Sequence, residues 1–304
     1  MAVPHASERS HNNLVSAART RARRRLSTFL NYGCLTLLAA FFLFPLIFML
    51  VSSFKPEKAI FDDLKTVTMA FIPRDANILN YQAVFDRVPF GRYMFNSVFV
   101  TVATVGLGLL FNSMIAYALA RLRWKARSLV LSFVVALMII PLEAIAVPLL
   151  VIVNDLPWID GTTGWLDTYR VQIIPFAVEA FSIFLFYQFF AGIPRDFDEA
   201  ALVDGASPFT IYRTIIFPLS RPVFATVAIL QMLTMWSLYL WPLIATRGEM
   251  VRPLSIGITA FYVQNIRWGQ VLAFASLVTI PVLIIFLIFQ RWFIRSVAAS
   301  GIKG

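Results

Sequence analysis

The sequence predicts an all-α integral membrane protein with six transmembrane helices. Three observations lead there. Hydrophobic residues fill 59% of the 304 positions and the mean hydropathy is +0.77, whereas soluble domains are nearer about 45–50% apolar. The apolar residues gather into runs close to the roughly 20 residues that cross a bilayer. The net charge of +10 sits beside those runs instead of forming a basic groove, which is the pattern of membrane topology and not of nucleic-acid binding.

The polar inventory narrows the chemistry. Cys34 is the sole cysteine, so there is no disulfide framework and no cysteine metal site. His5 and His11, the sole histidines, lie in the N-terminal tail, which denies the folded body a histidine-ligated zinc or a Ser-His-Asp triad. That inventory leaves an intramembrane enzyme without a nucleophile-base pair or metal set. No GxxxxGK[ST] stretch is present, so the chain carries no P-loop of its own.

Taken in order, residues 1–28 form a polar tail whose first part is expected to lack fixed structure. Arg19, Arg21, Arg23, Arg24 and Arg25 stand just before the first apolar run, placing the tail on the cytoplasmic side. The six spans are expected at about Phe29–Val51, Phe95–Ala120, Ser128–Ile152, Val171–Ala191, Val223–Ile244 and Val271–Phe289. An even number puts both termini on one side. Arg121, Arg123, Lys125 and Arg127, then Arg195, Arg213 and Arg221, then Arg291, Arg295 and Lys303 fall on that same side, in agreement with positive-inside topology. Residues 52–93 form the first external loop, read either as a cap packed on Tyr81 and Phe85 or as a landing surface for another protein. In the third external loop, Pro253-Leu254-Ser255-Ile256-Gly257 predicts a short, partly buried element at the outer mouth. Residues 94–292 make the five-helix core, and 293–304 a basic C-terminal tail behind Trp292, which suits an interfacial anchor.

The longest polar interruption in the second half is the cytoplasmic loop 194–222, PRDFDEAALVDGASPFTIYRTIIFPLSRP. Pro194 suits a first helical position. Asp196, Asp198 and Glu199 follow, where negative charge suits the helix dipole. Gly205 suits a left-handed helix end. Ser207-Pro208 predicts a cap and first-turn proline for a second helix, which Pro218 stops. A helix this short does not stand alone in water. Either it packs on its own protein, or its small residues Ala200 and Ala201 beside Glu199 let it enter a groove on a partner.

This loop resembles the EAA signature of the inner-membrane permease subunits of ATP-binding-cassette importers. Glu199, Ala200, Ala201, Gly205 four residues further on, and Ile215-Ile216-Phe217-Pro218 carry the likeness. Asp204-Gly205-Ala206, Phe217-Pro218-Leu219, Asn80-Tyr81 and the C-terminal Gly301-Ile302-Lys303-Gly304 resemble the maltose-type, carbohydrate branch. The resemblance implies a type I ABC importer permease fold and a coupling helix, with Glu199, Ala200, Ala201, Asp204, Gly205 and Pro218 at the contact with the ATPase. It implies a second permease subunit as heterodimer partner, a dimer of ATP-binding subunits, and an extracellular or periplasmic solute-binding protein. It implies no cofactor in this chain, ATP and magnesium residing on the partner ATPase.

Candidates for a solute path lie within the apolar runs. Glu143 and Glu179 are intramembrane carboxylates, which are functional candidates or internally bonded groups. Trp236, Ser237 and Tyr239 belong to an aromatic stretch that suits either sugar stacking or the membrane interface. The family usually has Trp-Asn or Trp-Asp where this chain has Trp236-Ser237. Pro141, Pro148, Pro175 and Pro281 bend spans or merely kink them. Midplane carboxylates and broken helices also fit an ion-gradient-driven secondary transporter, but such a carrier has no use for a docking helix at 194–222.

Overall fold

The computed structural model describes residues 6–301 except 64–65, 67–69, 73–74 and 263–265, with side chains from residue 27 to 288. The side chain of Trp292 and residues 302–304 lie outside that description. Four helices are long and apolar enough to cross a membrane, and two bent pairs each make one more span when their halves are taken together. The chain divides into two compact units, Met1–Asn80 and Tyr81–Gly304.

In the first unit, the helix Ala6–Ser53 begins inside the basic tail, so the expectation of an unstructured start does not hold there. Its apolar part Ser27–Ser53 is long enough to span. The helix ends in a small stapled turn. The Lys55 side chain is 1% exposed and donates to Asp63 (2.9 Å) and to the Ala70 carbonyl (3.1 Å). Asn80 donates to the carbonyls of Ser53 and Lys55, both at 2.9 Å.

In the second unit, the helix Phe90–Ala120 runs 31 residues without a break. It packs against Tyr169–Ala177, Ala180–Ala191, Arg221–Ser237 and the short helix Leu254–Gly257. The last of these, with Leu254, Ile256 and Gly257 buried, is the partly buried element expected from Pro253–Gly257.

The neighbouring spans are interrupted, at points that the lengths of the apolar runs do not show. Ser128–Ile152 is not one rod but Arg127–Leu137 and Leu142–Asp155, bent by 107°. Pro141 is extended (ψ 148°) and disfavours helix in Ile140 before it. The chain tightens into three successive i→i+3 turns over residues 135–140 and then turns away. The fourth span, Tyr169–Ala191, breaks at Val178 and Glu179 between Tyr169–Ala177 and Ala180–Ala191. The fifth ends as a helix at Ser237 and resumes as Leu240–Ala245, so Trp236–Leu243 is no continuous helical stripe.

Interruptions inside a bilayer need internal partners, because no water reaches the freed backbone. Proline lacks an N–H, so Pro175 frees the Val171 carbonyl, and the interruption at 238–239 leaves the Leu238 carbonyl outside any helix. Trp241 Nε1 donates to Val171 at 2.8 Å, and Ser255 Oγ donates to Leu238 at 2.8 Å. At the 178–179 break, Asn112 donates to the Ala177 carbonyl (3.2 Å) and accepts from the Glu179 N–H (3.0 Å). Gln231 donates to the Phe176 carbonyl at 3.1 Å. Gly108 makes room for it, since a Cβ there would stand 2.2 Å from Gln231 Oε1.

Trp241→Phe removes the donor and keeps most of the ring, so the Val171 carbonyl loses its partner in a dry site. The expected cost is about 1–3 kcal/mol, read as a lower thermal midpoint of the detergent-solubilised protein. A midpoint equal to that of the wild type would mean the carbonyl finds another donor.

Candidate functional site: the helical loop 194–222 and its mount

The loop 194–222 folds as two arms. The first helix, Asp196–Val203, starts two residues later than Pro194 suggests, with Arg195 as its cap residue. Pro194 stays outside, and its carbonyl accepts from the Arg121 guanidinium. Asp196, Asp198 and Glu199 lie in the first turn, where the N-terminal dipole favours them. The C-terminus is a Schellman closure: the Ala206 N–H bonds the Ala201 carbonyl (2.9 Å) and the Gly205 N–H bonds Leu202 (3.0 Å). Gly205 has φ +80°, the left-handed conformation the sequence calls for.

The second arm starts as expected. Ser207 accepts from the Thr210 N–H at 3.2 Å and Pro208 follows at the first turn. Pro218 does not stop it. The chain passes through Pro208–Ile211, a π-helical turn Tyr212–Ile216, and Phe217–Leu219, breaking only at Ser220 before Arg221–Ser237. The wider turn, with the Phe217 N–H reaching the Tyr212 carbonyl, lets the helix run on into a proline that has no N–H to give. The second arm and Arg221–Ser237 meet at 79°.

Both arms are mounted on one face of Phe90–Ala120. Ser113, Tyr117 and Arg121 are four residues apart, so they line one side of the helix. The Ser113 and Tyr212 hydroxyls share a 2.7 Å hydrogen bond, and Tyr117 donates to the Pro208 carbonyl at 2.9 Å. Arg121 caps the helix end and is buried. Its guanidinium donates to the carbonyls of Ile193 (2.8 Å) and Pro194 (3.1 Å) and pairs with Asp198 at 2.7 Å. Ala201 also turns inward and is 9% exposed, within a cluster that includes Ala116, Tyr117, Phe190 and Ile211.

The outward side carries the remaining signature residues. Glu199, Ala200, Asp204, Gly205 and Pro218 are exposed. Phe197, Leu202, Val203 and Phe209 are exposed beside them, Val203 at 88%. A short helix that grips its own protein through Asp198 and Ala201 while offering apolar and acidic side chains outward is built to be covered.

The solute-path candidates do not gather in one place. Glu143 is exposed in the first turn of Leu142–Asp155, just past the 107° bend. Glu179 is half-buried at the break, accepting from the Ser182 hydroxyl at 2.5 Å. The Ser237 hydroxyl turns back onto its own helix, at the Leu233 and Thr234 carbonyls. Tyr239 is 41% exposed. Trp236 lines an apolar cleft of about 370 Å³ with Thr101, Val102, Ala228 and Met232; Glu143, Glu179, Ser237 and Tyr239 are not in that lining. Among the described residues no group of His, Cys, Asp and Glu gathers as a metal site.

Sequence reasoning missed Arg121, which served only as a topological charge, and passed over Asn112 and Gln231. The signal for Asn112 and Gln231 was present: they are amides inside apolar runs, and a scan confined to carboxylates and prolines overlooks them.

The structure is a broken-helix membrane bundle with an exposed helical loop on a buried mount. The comparisons carry this further. The pattern of the binding-protein-dependent transport system inner membrane component family matches residues 105–299, and the chain belongs to that family. It is 33% identical over 273 residues to the arabinooligosaccharides transport system permease protein AraQ of Bacillus subtilis, covering 88% of this chain and 93% of that one. It is 30% identical to the trehalose/maltose transport system permease protein MalG of Thermococcus litoralis, covering 88% and 94%. Its fold matches a bacterial ABC transporter involved in the import of the acidic polysaccharide alginate, with TM-score 0.74 and 24% identity over 88% of this chain and 97% of that one. The protein is therefore a multi-pass inner-membrane permease subunit of an ATP-binding-cassette importer, working with an ATPase and a binding protein, and not an enzyme. The ion-gradient carrier reading gains no support from these relatives.

Arg121→Ala leaves the Asp198 carboxylate and two carbonyls without their donor. Breaking a buried pair from one side costs about 3–5 kcal/mol. The expected result is faster proteolysis at residues 193–198 and loss of the co-purifying ATPase. The double variant Arg121→Ala/Asp198→Ala should recover part of that loss, because no lone charge remains; a double variant worse than the sum of the singles would contradict the pairing.

Proposed function

We propose that this permease imports an oligosaccharide or related sugar, with the outward face of Asp196–Val203 seated in a cleft of the ATPase. The observation that carries the reading is the pairing of an exposed contact face with a buried mount at Arg121. A plug on a compliant loop would absorb motion; this one hands it to a transmembrane helix. Glu199, Ala200, Ala201, Asp204, Gly205 and Pro218 form the coupling segment, with Ala201 fitting the helix to its own bundle and the others facing the ATPase. ATP and magnesium belong to that partner.

The names of the relatives support the sugar class: AraQ and MalG are permeases for arabinooligosaccharides and for trehalose and maltose, and MelC of Bacillus subtilis for melibiose, raffinose and stachyose. A second, related permease completes the path as a heterodimer partner, and two ATP-binding subunits complete the motor. Both termini lie in the cytoplasm, as the basic residues flanking the spans favour. Glu179, half-buried at a helix break, is the best placed of the carboxylates to accept hydrogen bonds from a polyol, with Trp236 offering an aromatic face. Glu143, Ser237 and Tyr239 remain path candidates through their positions near the breaks. The chain does its work by presenting different surfaces in two states, so that the partners' differential binding shifts the equilibrium between them.

The assembled complex should hydrolyse ATP faster when its binding protein carries an oligosaccharide, and candidate sugars can be ranked by that stimulation. Stimulation by amino acids or inorganic ions alone would overturn the sugar assignment. Gly205→Val puts a branched side chain at φ +80° with open space around its Cβ, so it strains the turn without a clash. The strain of about 1–2 kcal/mol should weaken ATPase docking about tenfold while the permease still inserts. Uptake at the wild-type rate would count against the coupling role.

A further inference from the structure

The outer end of Phe90–Ala120 holds a second loop as firmly as its inner end holds the first. The segment Arg247–Leu254 is gripped through its backbone. Asn96, fully buried, donates to the carbonyls of Met250 (3.0 Å) and Arg252 (2.8 Å) and accepts from the Tyr169 hydroxyl at 2.6 Å. Arg92 donates to the Met250 carbonyl at 2.9 Å, and the Leu254 N–H donates to Ser97 Oγ at 2.7 Å. From the neighbouring span, Gln172 donates to the Val251 carbonyl at 2.8 Å. The Asp167 carboxylate accepts from the Arg247 and Gly248 N–H groups at 2.9 and 2.8 Å. The side chains of Arg247, Glu249 and Met250 are left exposed.

Between Asn96 and Arg121 the helix is unbroken. At 1.5 Å per residue the two anchors stand about 37 Å apart. The spans around it are interrupted, by a 107° bend between Arg127–Leu137 and Leu142–Asp155 and by the break at 178–179, so they can change shape along their length. An unbroken helix fastened by buried polar groups at both ends cannot do so without giving up those bonds.

We propose that Asn96 is a positioning residue for transport: it ties the external segment Arg247–Leu254 to the strut whose other end, through Arg121, carries the coupling segment, so the two loops move as one body. A protein that binds the exposed side chains of Arg247–Met250 on the outside thereby acts on the ATPase contact on the inside. The proposal rests on the reading of 194–222 as the ATPase contact.

Two measurements on the assembled complex test it. In a Cys34→Ser background, spin labels at Arg213→Cys and Glu249→Cys report the distance between the two loops. The expected distance is the same, within about 2 Å for one rigid body, in the nucleotide-free and vanadate-trapped states. A change of several ångströms overturns the strut. Separately, Asn96→Ala should keep the unstimulated ATPase rate and lose about tenfold in stimulation by solute-loaded binding protein, while Tyr169→Phe, which leaves both carbonyl bonds of Asn96 in place, keeps stimulation. Stimulation of Asn96→Ala equal to that of the wild type overturns the role of Asn96. If Asn96→Ala does not assemble, the distance measurement decides. A wild-type complex that no loaded binding protein stimulates would sink the underlying functional reading, and the spin-label distances would still report on the strut.

Discussion

One guanidinium holds the loop 194–222 and the end of the long helix in one arrangement. Arg121 closes the end of the long helix Phe90–Ala120, and from there it binds two backbone carbonyls and a carboxylate of the following loop. Arginine suits the task because its planar fork of donors stays charged and reaches several acceptors at once. Its burial raises the stakes. A desolvated cation is tolerable only while its partners are in place, so the pose of Ile193–Asp198 and that of Arg121 are held together or lost together. Tyr117 and Ser113, one and two turns back, extend the same grip to the second arm of the loop. The exposed apolar side chains of the plug are thus presented by a stiff base, and their exposure is a property of the site and not of a loose loop.

The second constraint is the bilayer. Pro175 and the breaks at 178–179 and 238–239 strip hydrogen bonds from helices that have no water to fall back on. The structure answers each with a side chain from another element: Trp241, Ser255, Asn112 and Gln231. These bonds explain why polar amides and an indole N–H sit at the centre of so apolar a chain. They also place the breaks at fixed points, so that spans can bend where partners wait for the freed groups. The unbroken helix Phe90–Ala120 is the common wall against which these interruptions pack.

These two constraints meet in the transport role. The subunit needs no reactive group, because the energy enters through a partner that binds one of two arrangements more tightly. What the subunit must supply is a contact that transmits and a body that can change shape. In the proposed role, the loop 194–222 and its buried mount supply the first. The bent pair Arg127–Leu137 and Leu142–Asp155, the broken span Tyr169–Ala191 and the angle before Arg221 supply the second.

The sequence by itself determined the class and the local form of the loop 194–222. Each follows from local information: bilayer thickness sets the run length, and the residues from Glu199 to Gly205 are close enough in the chain to write their own helix, turn and cap. Gly205 and Ser207 behave as their residue types demand, because left-handed backbone and N-capping are decided within a few residues. Only the tertiary structure decided where the spans break, which side chains repair them, and what the loop is fastened to. Pro141 and Pro218 are alike in sequence logic, yet one bends a span sharply and the other is absorbed by a π-turn. Arg121 is 77 residues from Asp198 in the chain, Asn112 is 67 from Glu179 and Trp241 is 70 from Val171. Pairings of that separation depend on how helices pack, and a single sequence carries no local signal for them.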